Sequence, residues 1–86
     1  MPRYYFSFTN DRRRVPDREG EVLRDEAAAR EYAIEDARYL IHHSTTGITA
    51  EDGWRVEVSD HHGHVLFNVS LAEVADTRKP DGSDSG

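Results

Sequence analysis

The amino-acid sequence predicts an α+β domain of the order ββαββ, with one helix on one face of a mostly antiparallel sheet. Three observations predict it: apolar residues alternate with polar ones near the N-terminus, recur at helical spacing in the middle, and alternate again further on. We expect residues 1–75 to form this single domain. Residues 76–86 contain no large apolar side chain, which predicts a disordered tail.

The first strand is predicted over residues 3–9, where aromatic side chains at every second position face one way. Asn10 and Asp11 follow this strand, and both residue types tolerate positive φ, which suits a two-residue hairpin turn. Such a turn would place Phe6 opposite Val15 in a short second strand.

The helix is the longest predicted element. Asp25 is a typical N-cap, Gly47 is a typical stop, and the intervening pattern predicts a helix of about 18–20 residues. Small side chains in its apolar stripe let a helix lie close to a sheet, so we expect it to pack across one. The stripe comprises Ala29, Ala33, Ala37, Leu40 and Ile41.

The second hairpin has a predictable register. A two-residue loop at 62–63 pairs Val58 with Phe67 and Val56 with Val69, which gathers the apolar residues, Val65 included, on one face. A three-residue loop would mix apolar and charged residues on both faces. The sequence therefore favours the two-residue loop.

Several segments of the chain resemble a family of short proteins of unknown function that is common in alphaproteobacteria, especially rhizobia and their relatives. The segments are Met1–Phe6, Pro16-Asp17 followed by Gly20, Leu23–Asp25 before the Ala-rich helix, and Trp54–Val58 with the turn and Val65-Leu66 after it. The resemblance covers about residues 1–75. It implies no activity, cofactor or catalytic residue, because none is established for the family.

Composition excludes several classes of protein. The 86 residues include no cysteine, which rules out disulfide scaffolds, thiolate zinc sites and cysteine nucleophiles. No apolar run exceeds three residues, whereas a membrane span needs about 20 and a signal-peptide core about 7–15. We therefore expect a cytoplasmic protein with no membrane partner.

The histidines of the second hairpin are candidate metal ligands. In the predicted register His61 and His64 form a direct cross-strand pair, and Asp60 or His62 could supply a third ligand. A structural site needs four ligands held by further hydrogen bonds, which a hairpin tip supplies poorly. We therefore favour an exposed, histidine-rich turn and expect no bound metal and no cofactor.

A basic run in the first hairpin is a candidate nucleic-acid contact, formed by Arg12, Arg13 and Arg14. Residues 1–24 carry six basic and four acidic groups, a charge of +2, whereas residues 25–86 carry five and thirteen, a charge of −8. A chain of net charge −6 is repelled by a polyanion. We favour a solvated strand that resists edge pairing, and we do not expect nucleic acid as the main partner.

Catalytic signals are absent from the pattern. Glu31 and Glu35 lie one helical turn apart on a face expected to be exposed, whereas an acid–base pair needs a cleft that separates the two pKa values. We also expect little room in so small a fold for a pocket of about 300 Å³. We therefore predict no enzyme activity.

The predicted function is a small non-catalytic interaction module that forms a homodimer. A single helix leaves one sheet face and at least one strand edge uncovered, and a second copy or another protein would cover them. Tyr5, Leu66 and Ile48 are apolar residues that the predicted core does not need. The alternative is a regulatory nucleic-acid-binding or antitoxin-like protein that uses the basic hairpin.

Overall fold

The chain folds as the predicted α+β domain, with an antiparallel five-stranded sheet and one main helix packed against it. The computed structural model describes residues 1–43 and 47–77. In chain order the elements are β1 (Arg3–Thr9), β2 (Arg14–Val15), β3 (Glu21–Val22), α1 (Glu26–His42), β4 (Arg55–Ser59), β5 (Val65–Ser70) and α2 (Leu71–Thr77). The predicted order ββαββ lacks two of these elements, β3 and α2.

The central strand β1 organises the sheet. It pairs with β4 along one side, and β4 pairs in turn with β5, which forms one outer edge. On its other side β1 pairs with both short strands, β2 near its C-terminal end and β3 near its N-terminal end. The two outer edges therefore differ in kind: β5 is continuous, whereas the opposite edge is made of two separate pieces.

The core lies between α1 and one face of the sheet. Ala29, Ala33 and Ala37 have no solvent exposure, which confirms that the alanine stripe brings α1 close to the strands. The aromatic residues of β1 and the valines of β4 form the facing layer. Leu71, Val56 and Val58 are the largest fully buried side chains, so α2 contributes to this core from its first residue.

The helix begins where the sequence predicts. The Asp25 side chain accepts a hydrogen bond from the Ala28 backbone N–H at 2.9 Å, as an N-cap does. The helix ends at His42, and the His43 N–H turns back to the Leu40 and Tyr39 carbonyls at 3.2 and 3.0 Å. It is therefore 17 residues long and ends before Gly47.

The predicted register of the first hairpin is wrong by two residues. Val15 lies opposite Phe8 rather than Phe6. The Asn10 side-chain oxygen accepts from the N–H groups of Arg12 and Arg13, both at 2.8 Å, and this lengthens the loop to four residues. Because the shift is an even number, every side chain keeps the face that the pattern predicts.

The second hairpin combines a correct register with a wrong turn. Val58 pairs with Phe67 and Val56 with Val69, as predicted, but the loop has three residues and a bulge restores the register between Val58 and Ser59. Its turn runs from Asp60 to Gly63, with Gly63 at φ 86° and its N–H bonded to the Asp60 carbonyl at 3.0 Å. Asp and Gly at these two positions favour this turn, so the local chemistry outweighs the pattern.

The core differs from the predicted one at two positions. Val65, predicted in the core, pairs with Ser59 and is 51% exposed. Ile48, predicted to be surplus to the core, is 3% exposed and belongs to it. The core therefore contains Ile48 and lacks Val65, the reverse of the prediction.

The domain extends slightly beyond its predicted C-terminal boundary at residue 75. Asp76 and Thr77, placed in the predicted tail, complete α2, and the remaining tail residues 78–86 lie outside the described part of the chain. Within residues 1–43 and 47–77, neither helix has the length and apolarity needed to cross a membrane.

Candidate interaction surfaces

Asp17 links the two short strands to β1. Its Oδ2 accepts the backbone N–H of Phe6 at 3.0 Å, and its own N–H donates to the Ser7 hydroxyl at 3.1 Å. Its Oδ1 accepts from the N–H groups of Glu19 and Gly20, both at 3.1 Å. In the gap between β2 and β3, the Asp17 carboxylate thus bonds to β1 in place of a paired strand. It satisfies backbone groups that would otherwise face outward.

The segment after Asp17 returns very close to β1. Gly20 has φ 71°, and a Cβ built on it would lie 2.7 Å from the Tyr4 carbonyl oxygen and 3.0 Å from the Tyr5 ring. Tyr5 is therefore half-buried beneath this turn rather than available on an open face. The spacing of Asp17 and Gly20 predicts the turn, but it gave no sign of the contact with β1.

The helix-free face of the sheet is polar where β1, β2 and β4 meet. Arg14 on β2 reaches across β1 to Glu57 on β4, with 2.6 Å between the guanidinium Nη1 and the carboxylate Oε1. The small residues beneath this pair, Ser7 and Thr9, are buried. The prediction that Tyr5, Leu66 and Ile48 are surplus to the core and available to a partner is therefore wrong. Ile48 is buried, and Leu66 packs against the core.

The three arginines of the basic run have different surroundings. Arg14 is paired with Glu57, and the Arg13 guanidinium carbon lies 5.3 Å from the centre of the Trp54 ring. Arg12 is exposed at the loop. The structure does not gather the three charges into one free cluster, and their binding to nucleic acid stays a prediction.

The histidine-rich turn is held by Asp60. Its Oδ1 accepts from the N–H groups of His62 and His64, both at 2.9 Å, and these bonds, chiefly that from His64, hold the pKa of the Asp60 carboxyl below its ordinary value. His64 lies opposite Asp60, so the predicted direct pairing of His61 with His64 is wrong.

The imidazoles of this turn nevertheless lie near one another. The ring centres of His61 and His62 are 3.9 Å apart, and those of His62 and His64 are 5.9 Å apart. Among residues 1–43 and 47–77, no group of three or more His, Cys, Asp or Glu side chains is arranged to hold a metal ion. That His61 and His64 hold no metal ion stays a prediction.

The other histidine pair closes α1. The ring Nδ1 atoms of His42 and His43 lie 2.9 Å from the carbonyl oxygens of Arg38 and Tyr39, and because a carbonyl only accepts, each Nδ1 carries the proton. The His43 ring also stacks on Tyr39, with 4.1 Å between ring centres. These rings therefore cap the last turn of α1 by hydrogen bonding to its final carbonyl groups.

A groove separates α1 from the two-piece edge of the sheet. Its volume is about 310 Å³, and Phe6, Phe8 and Val15 form part of its wall. Tyr32 of α1 packs on Phe6, with 4.6 Å between ring centres, and is 38% exposed. The sequence predicts little room for a pocket of about 300 Å³; the groove reaches this volume, although it is open to solvent.

Carboxylates converge on Tyr32 at this groove. Its hydroxyl donates to Glu21 Oε1 at 3.5 Å, and burial, followed by the charges of Glu21, Asp36 and Asp17, raises the pKa of Tyr32. Burial and then the charge of Asp17 also raise the pKa of Asp36, which is half-buried. The sequence gives no sign of this site, because its members come from β3, α1 and the turn that contains Asp17.

The raised pKa of Asp36 predicts a pH-dependent stability. Between the unfolded value of 3.8 and the raised folded value, the folded protein keeps a proton that the unfolded chain has lost, so stability falls as pH rises through this window. We expect Asp36→Asn to melt at a higher temperature than wild type at neutral pH, with the difference shrinking as pH falls towards 3.8. Thermal melts followed by circular dichroism across this range measure it.

The matched control for this prediction is Glu31→Gln, which removes an exposed carboxylate from the same helix. It controls for the loss of one negative charge from a chain of net charge −6. Equal stabilisation by both substitutions would show that overall charge, and not the surroundings of Asp36, is responsible.

Comparison with known protein families shows one match for this chain. A family model described as "Domain of unknown function (DUF6894)" matches residues 3–72. The chain belongs to this family. The DUF6894 match spans both hairpins and α1, so it includes every surface described above. The resemblance to a family of unknown function is confirmed, while an alphaproteobacterial origin of this DUF6894 domain stays a prediction. No curated protein and no solved structure matches the chain.

Proposed function

We propose that this domain is a non-catalytic interaction module that forms a two-fold dimer through the free edge of β5. The observation that supports this is the contrast between the two sheet edges. The six residues of β5, Val-Leu-Phe-Asn-Val-Ser, contain no charge, proline or glycine. The opposite edge is interrupted, carries Pro16 and several charges, and has backbone groups occupied by Asp17. Natural edge strands are usually protected by interruptions, prolines and charges, as the opposite edge is, whereas β5 has no such protection.

The backbone of β5 presents hydrogen-bonding groups to a partner. The Leu71 N–H donates to the Trp54 carbonyl at 3.1 Å, and strand pairing alternates from there, so Val69 and Phe67 direct their backbone groups towards β4. The N–H and C=O of Asn68 therefore point away from β4. Asn68 is exposed, which leaves these groups accessible to another strand.

Charges beside the edge favour one antiparallel register. The Arg30 guanidinium carbon lies 4.4 Å from the Phe67 ring centre, and Glu73 lines the same side of the edge near Ser70. Pairing centred on Asn68 would bring Arg30 of each copy to Glu73 of the other. Pairing centred on Phe67 would instead bring the two Arg30 side chains together, which costs free energy.

The same register is compatible with the core. It sets Phe67 opposite Val69 of the second copy, and both residues contribute to the side of the sheet that carries α1. The helices of both copies then lie on one face of a doubled sheet. Among the strands of the described residues, the outer edges left are the two interrupted ones, so assembly stops at the dimer.

Asn68→Pro tests this proposal. Proline removes the outward N–H of residue 68 and leaves the β4–β5 hydrogen bonds in place, because it is tolerated on edge strands at positions facing solvent. We expect wild type to sediment at twice the 9.8 kDa chain mass at micromolar concentration, and the variant at the chain mass. Sedimentation velocity measures both, with circular dichroism to confirm that the variant is folded.

Ala27→Lys serves as the control for the related variant Asn68→Lys, which adds a charge to the edge. Both substitutions add one positive charge at an exposed position, but Ala27 lies in the first turn of α1. Only Asn68→Lys should weaken the dimer. Wild type that sediments as a monomer, or a dimer insensitive to both residue 68 variants, would contradict the proposal.

A further inference from the structure

The groove between α1 and the interrupted edge of the sheet has the properties of a binding site for a basic side chain. One wall is apolar and aromatic, formed by Phe6, Val15 and Tyr32, of which Val15 and Tyr32 are 39% and 38% exposed. The rim carries Asp17 and Asp36, and Glu21 bonds to the Tyr32 hydroxyl. The site therefore combines an exposed apolar surface with carboxylates at its border.

Within residues 1–43 and 47–77, the carboxylates of this groove form no ion pair with a basic side chain. Arg14 pairs with Glu57 and Arg24 with Asp25, outside the groove, while the carboxylate of Asp17 accepts backbone N–H groups. The half-burial of Asp36 and its proximity to the charge of Asp17 make its ionised form unfavourable. A cation placed between the two would relieve this cost, which an uncharged occupant would not.

We propose that this groove binds an arginine-containing extended segment of a partner protein, with the guanidinium between Asp36 and Asp17 and its plane against Tyr32. A planar guanidinium stacks on aromatic rings and forms two hydrogen bonds to a carboxylate at once, which fits a site that offers both. The volume of about 310 Å³ accommodates a side chain and adjoining backbone and is small for a folded domain.

The groove lies at the sheet edge opposite β5, so this inference goes beyond the proposed dimer and does not depend on it. A chain of net charge −6 attracts cations everywhere. In this groove the carboxylates also border the exposed side chains of Val15 and Tyr32, which adds an apolar contact surface to the negative charge. The distinction between local and diffuse attraction is what the experiment measures.

The probe is a Gly/Ser peptide that contains arginine, titrated into the full chain with ¹H–¹⁵N spectra recorded at moderate salt. A peptide in which citrulline replaces arginine is the matched control, since it keeps the shape and loses the charge. We expect shifts concentrated at the amides of Gly20, Tyr32 and Asp36, and a weakening of about five- to tenfold in Asp36→Asn. Glu31→Gln should bind the arginine peptide as wild type does.

Three outcomes would overturn the inference. Equal binding by Asp36→Asn and Glu31→Gln would indicate diffuse attraction to an acidic protein. Equal binding of the citrulline peptide would show that charge is not recognised. Free arginine that produces the same shifts with the same affinity would make the groove a site for small cations and not for a peptide segment. The titration is repeated with Asn68→Pro, so loss of the dimer is separated from loss of this site.

Discussion

Replacing Leu71 by alanine is expected to lower the free energy of unfolding by about 3 kcal/mol. Leu71 has no solvent exposure and is among the largest fully buried side chains of the domain. It stands where β5 ends and α2 begins, and its N–H also bonds to Trp54. The substitution leaves a cavity in the core shared with α1, whose buried side chains Ala29, Ala33 and Ala37 are too small to fill it.

Urea unfolding at a fixed protein concentration measures this loss, since a dimer would make stability depend on concentration. Leu40→Ala is the matched control. Leu40 is half-buried on α1, and alanine is the better helix former, so the control should lose about half as much or less. Equal losses at the two positions would show that burial of Leu71 is not the main source of its contribution.

The second large effect is expected for Gly20→Ala, at about 3 kcal/mol of destabilisation. A left-handed backbone costs a residue with a Cβ about 1–2 kcal/mol, and here the added atom also meets the Tyr4 carbonyl oxygen at 2.7 Å. That oxygen belongs to β1 and cannot move without disturbing the sheet. The turn held by Asp17 would therefore have to leave β1, and thermal and urea unfolding would record the loss.

Gly63→Ala separates the two contributions to this effect. Gly63 has φ 86°, but a Cβ built on it meets no atom within 4 Å. This variant should carry the cost of the backbone conformation alone, about 1 kcal/mol. If both glycine variants lose the same stability, the close approach to β1 contributes nothing and the packing of this turn has been misjudged.

The elements that follow from local chemistry could be predicted. Alternation predicted the faces of β1, β4 and β5 except at Val65, and the alanine stripe with its Asp25 cap predicted α1. The apolar pattern also gave the pairing of Val58 with Phe67, because burying one face of a sheet specifies the register. These features depend on residues near one another in the sequence, or on a whole strand facing one core.

The turns and the candidate sites could not be predicted to the same extent. The Asn10 and Asp60 side chains accept backbone N–H groups and lengthen their loops, and these few hydrogen bonds override the two-residue turns that the pattern favours. Strand β3 has only two residues, too short for any periodicity. It exists because Asp17 brings this segment back against β1.

Three features of this protein follow from its amino-acid sequence: the fold class, the faces of its long elements, and the division between a basic first hairpin and an acidic remainder. Each of these depends on periodicity or composition, which are properties of the chain alone. Two other features depend on the folded chain: which edge of the sheet stays open, and the convergence of carboxylates from three separate segments on Tyr32. Edges and grooves are made by residues distant in sequence, so their chemistry emerges only when packing brings those residues together.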